Sequence, residues 1–90
     1  MNPDKYKIKT KHRDGGVQHI YRFDNGYGAS MIKTQYSYGG DRGLWEIGVI
    51  TFDSNGGCHL CYDTTVTSDV IGHLTDDEAA DVLQQIKELA

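Results

Sequence analysis

Leu44-Trp45-Glu46-Ile47-Gly48-Val49-Ile50-Thr51-Phe52 is the stretch that decides the fold. It is rich in β-branched and aromatic residues, the types that suit a pleated surface. With the two-residue period of a strand, Trp45, Ile47 and Val49 share one face, opposite Leu44, Ile50 and Phe52. A strand that is apolar on both faces belongs in the middle of a sheet, covered on both sides at least in part. Asp53-Ser54-Asn55-Gly56-Gly57 follows as a turn, and Cys58 to Tyr62 reads as a short fifth strand.

Three strands are expected upstream. Lys5 to Lys11 alternates without a break, placing Tyr6, Ile8 and Thr10 on one face and Lys5, Lys7, Lys9 and Lys11 on the other. After the Asp14-Gly15-Gly16 turn, Val17 to Phe23 forms a second strand, with Val17, His19, Tyr21 and Phe23 opposite Gln18, Ile20 and Arg22. Asp24-Asn25-Gly26 is a hairpin signal, because Asn and Gly tolerate the positive φ of a tight turn. Tyr27 to Tyr36 is the third strand, with Gly28 marking a bulge.

Downstream, Asp63 to Leu74 is irregular, with a helical turn expected near Asp69-Val70-Ile71. Thr75-Asp76-Asp77-Glu78 has the spacing of a capping box, with Leu74 and Ala79 placed for a hydrophobic staple. Ala79, Val82, Leu83, Ile86 and Leu89 then make an apolar stripe at helical spacing. A helix from Asp76 to Ala90 is about 22 Å long, close to the length of a seven-residue strand. The expected fold is therefore α+β: an antiparallel meander of about five strands with one C-terminal α-helix packed on one face.

Ninety residues, 38% apolar and 24% charged, form one domain spanning residues 1–90 with a single modest core. No apolar run approaches a membrane span, and the polar N-terminus lacks the apolar core of a signal peptide. The net charge of −4 conceals a division. Residues 1–42 carry eight basic and four acidic side chains, whereas residues 43–90 carry one basic and nine acidic. A basic side and an acidic side follow unless the strands of the two halves interleave.

Four groups of residues invite a functional reading. Tyr36-Ser37-Tyr38-Gly39-Gly40-Asp41-Arg42-Gly43-Leu44-Trp45 uses the vocabulary of binding loops, and Tyr36, Tyr38, Arg42 and Trp45 are its candidate partner-binding residues. The competing reading is a Gly-rich hairpin whose rings fold back over the sheet end. Lys5, Lys7, Lys9 and Lys11 would form a ridge able to neutralise phosphates, and the Tyr, Phe and Trp residues could stack bases. The competing reading there is a solvated edge strand, protected by Lys against edge-to-edge pairing.

Cys58-His59-Leu60-Cys61, with His12, His19 and His73 elsewhere, could in principle supply zinc ligands. Within a strand, however, an odd separation sends the two Cys to opposite faces, and no second paired motif is present. No metal or cofactor is therefore assigned. The acidic helix face of Asp77, Asp81 and Glu88 is read as solvated, or as a surface for a basic partner. No complete catalytic set is evident: no GxSxG elbow and no phosphate-cradling loop occurs, so an enzyme is not expected.

Tyr36-Ser37-Tyr38-Gly39-Gly40 with Gly43-Leu44-Trp45-Glu46, and Leu60-Cys61-Tyr62-Asp63-Thr64 with Asp69-Val70-Ile71-Gly72-His73-Leu74-Thr75, resemble a family of small uncharacterised proteins encoded in bacteriophage and prophage genomes. The resemblance covers about the C-terminal two-thirds of the chain. It implies a viral origin and a place in the host cytoplasm, but no activity and no functional residues. Cys58 and the Asn55-Gly56-Gly57 turn fall outside its pattern. The leading expectation is a non-enzymatic accessory protein that binds another protein and so modulates a host process. The alternatives are a nucleic-acid-binding module using the Lys strand and a zinc-bound structural module. A homodimer through an open sheet face or edge is compatible with all three.

Overall fold

The computed structural model describes residues 3–67 and 69–89. Its elements are strands β1 (Lys7–Arg13), β2 (Gly16–Arg22), β3 (Tyr27–Lys33), β4 (Trp45–Phe52), β5 (Cys58–Leu60) and β6 (Val70–Leu74), followed by helix α1 (Asp76–Lys87). Short 3-10 turns occupy Pro3–Tyr6 and Gly40–Arg42. β1 to β5 form an antiparallel meander in chain order, and α1 packs across one face of it. The expected α+β architecture is what the chain adopts.

The sixth strand is a correction to the helical turn expected near Asp69-Val70-Ile71. β6 pairs with the first half of β4, and β5 pairs with its second half. The two short strands therefore lie end to end along the same edge. The Cys61 amide still donates to the Val49 carbonyl at 2.8 Å, after which the chain leaves the edge and rejoins it where Val70 faces Gly48. Three other expected strands are shorter in fact: the third ends at Lys33, the fourth begins at Trp45 and the fifth ends at Leu60.

The turns follow their local chemistry. Asp14 and Gly15 both take positive φ between the paired Arg13 and Gly16, the geometry of a two-residue type I′ hairpin. At Asp24-Asn25-Gly26, where both Asn and Gly tolerate positive φ, it is Gly26 that takes it, at 89°. Gly28 sits in unbroken register between Arg22 and Ile50 and makes no bulge. Glycine is required there by contact, since a Cβ would stand 2.2 Å from the Tyr21 carbonyl oxygen and 2.8 Å from the Phe52 ring.

β4 lies at the centre, as its composition demands. Trp45, Ile47 and Val49 join Tyr21, Phe23 and Met31 beneath Ala79, Val82, Leu83 and Ile86 of α1. The capping box is complete. Thr75 accepts from the Glu78 amide, and the Thr75 amide donates to the Glu78 carboxylate at 2.9 Å. That bond holds the Glu78 carboxyl below its ordinary value.

The bulge of this sheet occurs in β1. Lys7 faces Tyr21, yet Lys9 faces Ile20, so two residues of β1 oppose one of β2 around Ile8. The extra residue reverses the parity of the strand. Lys7 stays on the helix side and pairs with Asp4 at 3.1 Å, while Thr10 faces His19. Ile8, Lys9, Lys11 and Arg13 share the opposite side, and Lys5 lies in the 3-10 turn before the strand. The expected ridge of Lys5, Lys7, Lys9 and Lys11 is therefore split, and Ile8 is 56% exposed instead of buried.

Candidate binding surface

The face opposite α1 can be built row by row from the strand register. One row runs Lys9, Ile20, Ser30, Gly48, Val70 across β1, β2, β3, β4 and β6. The next runs Lys11, Gln18, Ile32, Glu46, and on the other side Gly28, Ile50 and Leu60 lie abreast. Only Ser and Gly stand at the middle of the first row, so the surface dips there. Ile32, Leu60 and Val70 stand around the dip as aliphatic walls, and the buried Ile20 and Ile50 lie in its floor. The result is a trough of about 470 Å³. Gly48 keeps its floor low, because a Cβ there would come within 2.8 Å of the Leu60 side chain.

The rim is basic on one side. Lys9, Lys11 and Arg13 of β1 border the trough. Lys9 and Lys11 enter no ion pair among the described residues, whereas Arg13 meets Asp14 at 3.5 Å. A polar chain runs inward from this rim: Arg13 donates to Gln18 at 3.4 Å, and Gln18 donates to the Ser30 hydroxyl at 2.7 Å. Glu46 marks the far end and accepts from the Tyr38 amide at 2.8 Å. Phe52 lies beside the trough over Gly28, with the Arg22 guanidinium 4.8 Å from its ring centre. Tyr21, Phe23, Trp45 and His19 lie on the helix side. An array of stacking rings beside the basic strand is therefore not what the fold builds.

The four residues singled out in the Gly-rich loop do not act as one group. Tyr36 is 77% exposed, Tyr38 is 62% exposed, and Arg42 is also exposed. Trp45 is only 8% exposed and belongs to the core. Its indole N–H donates to Asp76 at the start of α1 at 2.7 Å, with the Lys33 ammonium 4.2 Å from the ring centre. The loop backbone is held by its own bonds, and most of its composition is explained by them. Ser37 Oγ accepts from the Thr34 amide and donates to the Thr34 carbonyl. The His73 amide donates to the Tyr38 carbonyl, and Gly39, at φ 84°, lies so close to His73 that a Cβ would be 2.9 Å from its Cα. Contacts of this kind leave the exposed rings of Tyr36 and Tyr38 unexplained. Through the Tyr38–Glu46 bond, the loop abuts one end of the trough.

The two thiols face apart. Cys58 lines the trough, and Cys61 packs against the helix-side core. The Cys61 thiol donates to Asp63 at 3.0 Å, and that carboxylate raises its pKa. Asp53 accepts from His59 at 2.8 Å and from the Gly57 and Asn55 amides, bonds that hold its carboxyl below the usual range. Among the described residues no three His, Cys, Asp or Glu side chains are grouped to hold a metal ion. Nor is any described helix long and apolar enough to cross a membrane.

His19 ties folding to pH. Burial lowers its pKa, with Lys7 and His12 adding to the effect and Asp4 opposing it. The unfolded chain therefore binds this proton more readily than the folded one. Stability is full above the ordinary imidazole value of about 6.5 and declines as the pH falls below it toward the folded-state pKa. Urea midpoints measured at falling pH should decrease through this window for the wild type and respond less in His19→Gln. An equal response in the two proteins would show that other groups carry the dependence.

The trough was not foreseen from the sequence, because it depends on which residues the register sets side by side. Its one local sign is Gly48, a residue without a side chain in the middle of the most apolar strand. No protein-family model, no curated protein and no solved structure matches the chain.

Proposed function

We propose that this is a non-enzymatic accessory protein of phage or prophage origin. It acts in the host cytoplasm by binding another protein through the open face of its sheet. The observation that carries this reading is the trough. One face of the sheet is sealed by α1, whereas the other presents a concave aliphatic surface bounded by charge, the composition of a binding site. Tyr36 and Tyr38 extend the surface at the Glu46 end, where amphipathic rings offer contact area at low entropic cost.

The test compares baits in a bacterial lysate. Wild type, Ser30→Phe and the double variant Tyr36→Ala, Tyr38→Ala are immobilised in parallel, after circular dichroism shows that each is folded. A partner retained by wild type and lost with Ser30→Phe supports the reading, particularly when the purified partner then binds directly. Equal recovery by all three baits, or recovery of nucleic acid alone, would refute it.

A further inference from the structure

We infer that the trough receives an amphipathic α-helix of the partner, with an aliphatic stripe against the floor and acidic residues toward β1. This rests on the protein-binding reading and names the shape and charge of what binds.

Three observations lead to it. The first concerns backbone hydrogen bonds. The trough lies on a sheet face, where the strand amides and carbonyls are already paired within the sheet. An extended peptide laid across Ile20, Ile50 and Leu60 would leave its own amides unsatisfied over aliphatic side chains, which is costly for each group so placed. A helix satisfies its backbone internally and presents only side chains. The second is shape. A second copy of this sheet would bring one concave surface against another and leave a void, whereas a convex rod fills the dip. α1 shows the same solution on the opposite face, where Ala79, Val82, Leu83 and Ile86 seat on the sheet. A second helix would complete a layered α/β/α arrangement.

The third is charge. Lys9 and Lys11 stand on one rim without ion-pair partners among the described residues, with Arg13 beside them. Acidic side chains flanking the stripe of an incoming helix would meet this rim. The complementarity adds discrimination and speeds encounter more than it adds affinity.

Two synthetic helical peptides with the same leucine stripe, one flanked by glutamates and the other by lysines, provide the probes. Fluorescence anisotropy should show the glutamate peptide binding about tenfold more tightly at low salt, the scale of two exposed ion pairs acting together. The gap should narrow as salt is raised. Ser30→Phe should abolish binding by filling the trough. Leu60→Glu should do so by placing a like charge on its wall. Leu60 is 48% exposed, so this second variant keeps the fold even where the first does not. Lys9→Gln with Lys11→Gln should remove the charge preference and leave the stripe-dependent part.

Equal affinity for the two peptides, or binding indifferent to Leu60→Glu, would overturn the inference. Dodecanoate binding with the same variant dependence, when neither peptide binds, would reassign the trough to an alkyl acid. A lysate partner that depends on Ser30 while the peptides show no charge preference would leave the protein-binding reading standing and remove only the acidic helix.

Discussion

Trp45→Ala lowers folding stability by about 3–5 kcal/mol, the range for truncating a large buried aromatic. Three attachments fail together. The indole fills the core next to Ile47 and Leu74, its N–H is bonded to the Asp76 carboxylate, and its ring lies under the Lys33 ammonium with the His19 ring 5.7 Å away. A 90-residue domain has roughly 5–13 kcal/mol in total, so the variant retains little margin. Its thermal midpoint should fall by at least about 12 °C, at 4–8 °C per kcal/mol.

Trp45→Phe keeps a ring but gives up the bond to Asp76, whose exposed carboxylate then turns to water, and should cost about 1 kcal/mol, the net scale of one hydrogen bond. Tyr36→Ala and Tyr38→Ala, on exposed rings, should each stay within about 0.5 kcal/mol. Far-UV circular dichroism is the appropriate measurement, because fluorescence would lose its reporter. A Trp45→Ala melt close to wild type would mean that the indole is not the link between β4 and α1.

That separation of Trp45 from Tyr36 and Tyr38 shows where the sequence is informative and where it is not. Thr75 and Glu78 announce the helix start because a capping box is local chemistry, contained in four residues. The central place of β4 follows from its apolar content alone. Whether an aromatic at a junction belongs to the loop or to the core cannot be read from its neighbours, because the same residue closes one segment and opens the next. Trp45 fits both the loop motif and the strand face that it shares with Ile47 and Val49, and only the packing under α1 decides for the core.

The β1 bulge was hidden for a related reason. Lys5 to Lys11 alternates perfectly in sequence, but the register against β2 slips between Lys7 and Lys9, and one inserted residue exchanges the two faces. β6 was hidden because Val70-Ile71-Gly72-His73-Leu74 does not alternate cleanly. Its register also shifts between the Trp45 and Ile47 pairings, and His73 within it takes a φ of 59°. The trough inherits both effects. It needs the slipped register to bring Lys9 into line with Ile20, and it needs β6 to bring Val70 beside Gly48.

Asn25→Asp is the second substitution expected to be severe, although it leaves the size of the side chain almost unchanged. Asn25 looks like a turn residue, but Gly26 supplies the positive φ of the turn. The Asn25 amide is used elsewhere. Its Nδ2, with two hydrogens and one of them shared, donates to the carbonyls of Ile86, Lys87 and Leu89 at 2.9, 3.0 and 3.0 Å, closing the C-terminal end of α1, while its Oδ1 accepts from the Tyr27 amide. One side chain thus fastens the hairpin between β2 and β3 to the end of the helix, across more than sixty residues of sequence.

Asn25→Ala removes the donors and the acceptor, and should cost about 2 kcal/mol as one to two net hydrogen bonds. Asn25→Asp should cost more, about 3 kcal/mol. A carboxylate has no proton to give, so it faces three carbonyl oxygens at the negative end of the helix dipole. Those same groups raise the pKa of the introduced carboxyl above its unfolded value. The native state then takes up its proton first as the pH falls, and the protonated acid recovers one donor. The deficit of Asn25→Asp relative to wild type should therefore shrink on acidification, whereas that of Asn25→Ala should not. Urea unfolding of the three proteins at neutral and acidic pH measures the difference, and a deficit for Asn25→Asp that grows or stays constant on acidification would exclude a capping role for the Asn25 amide.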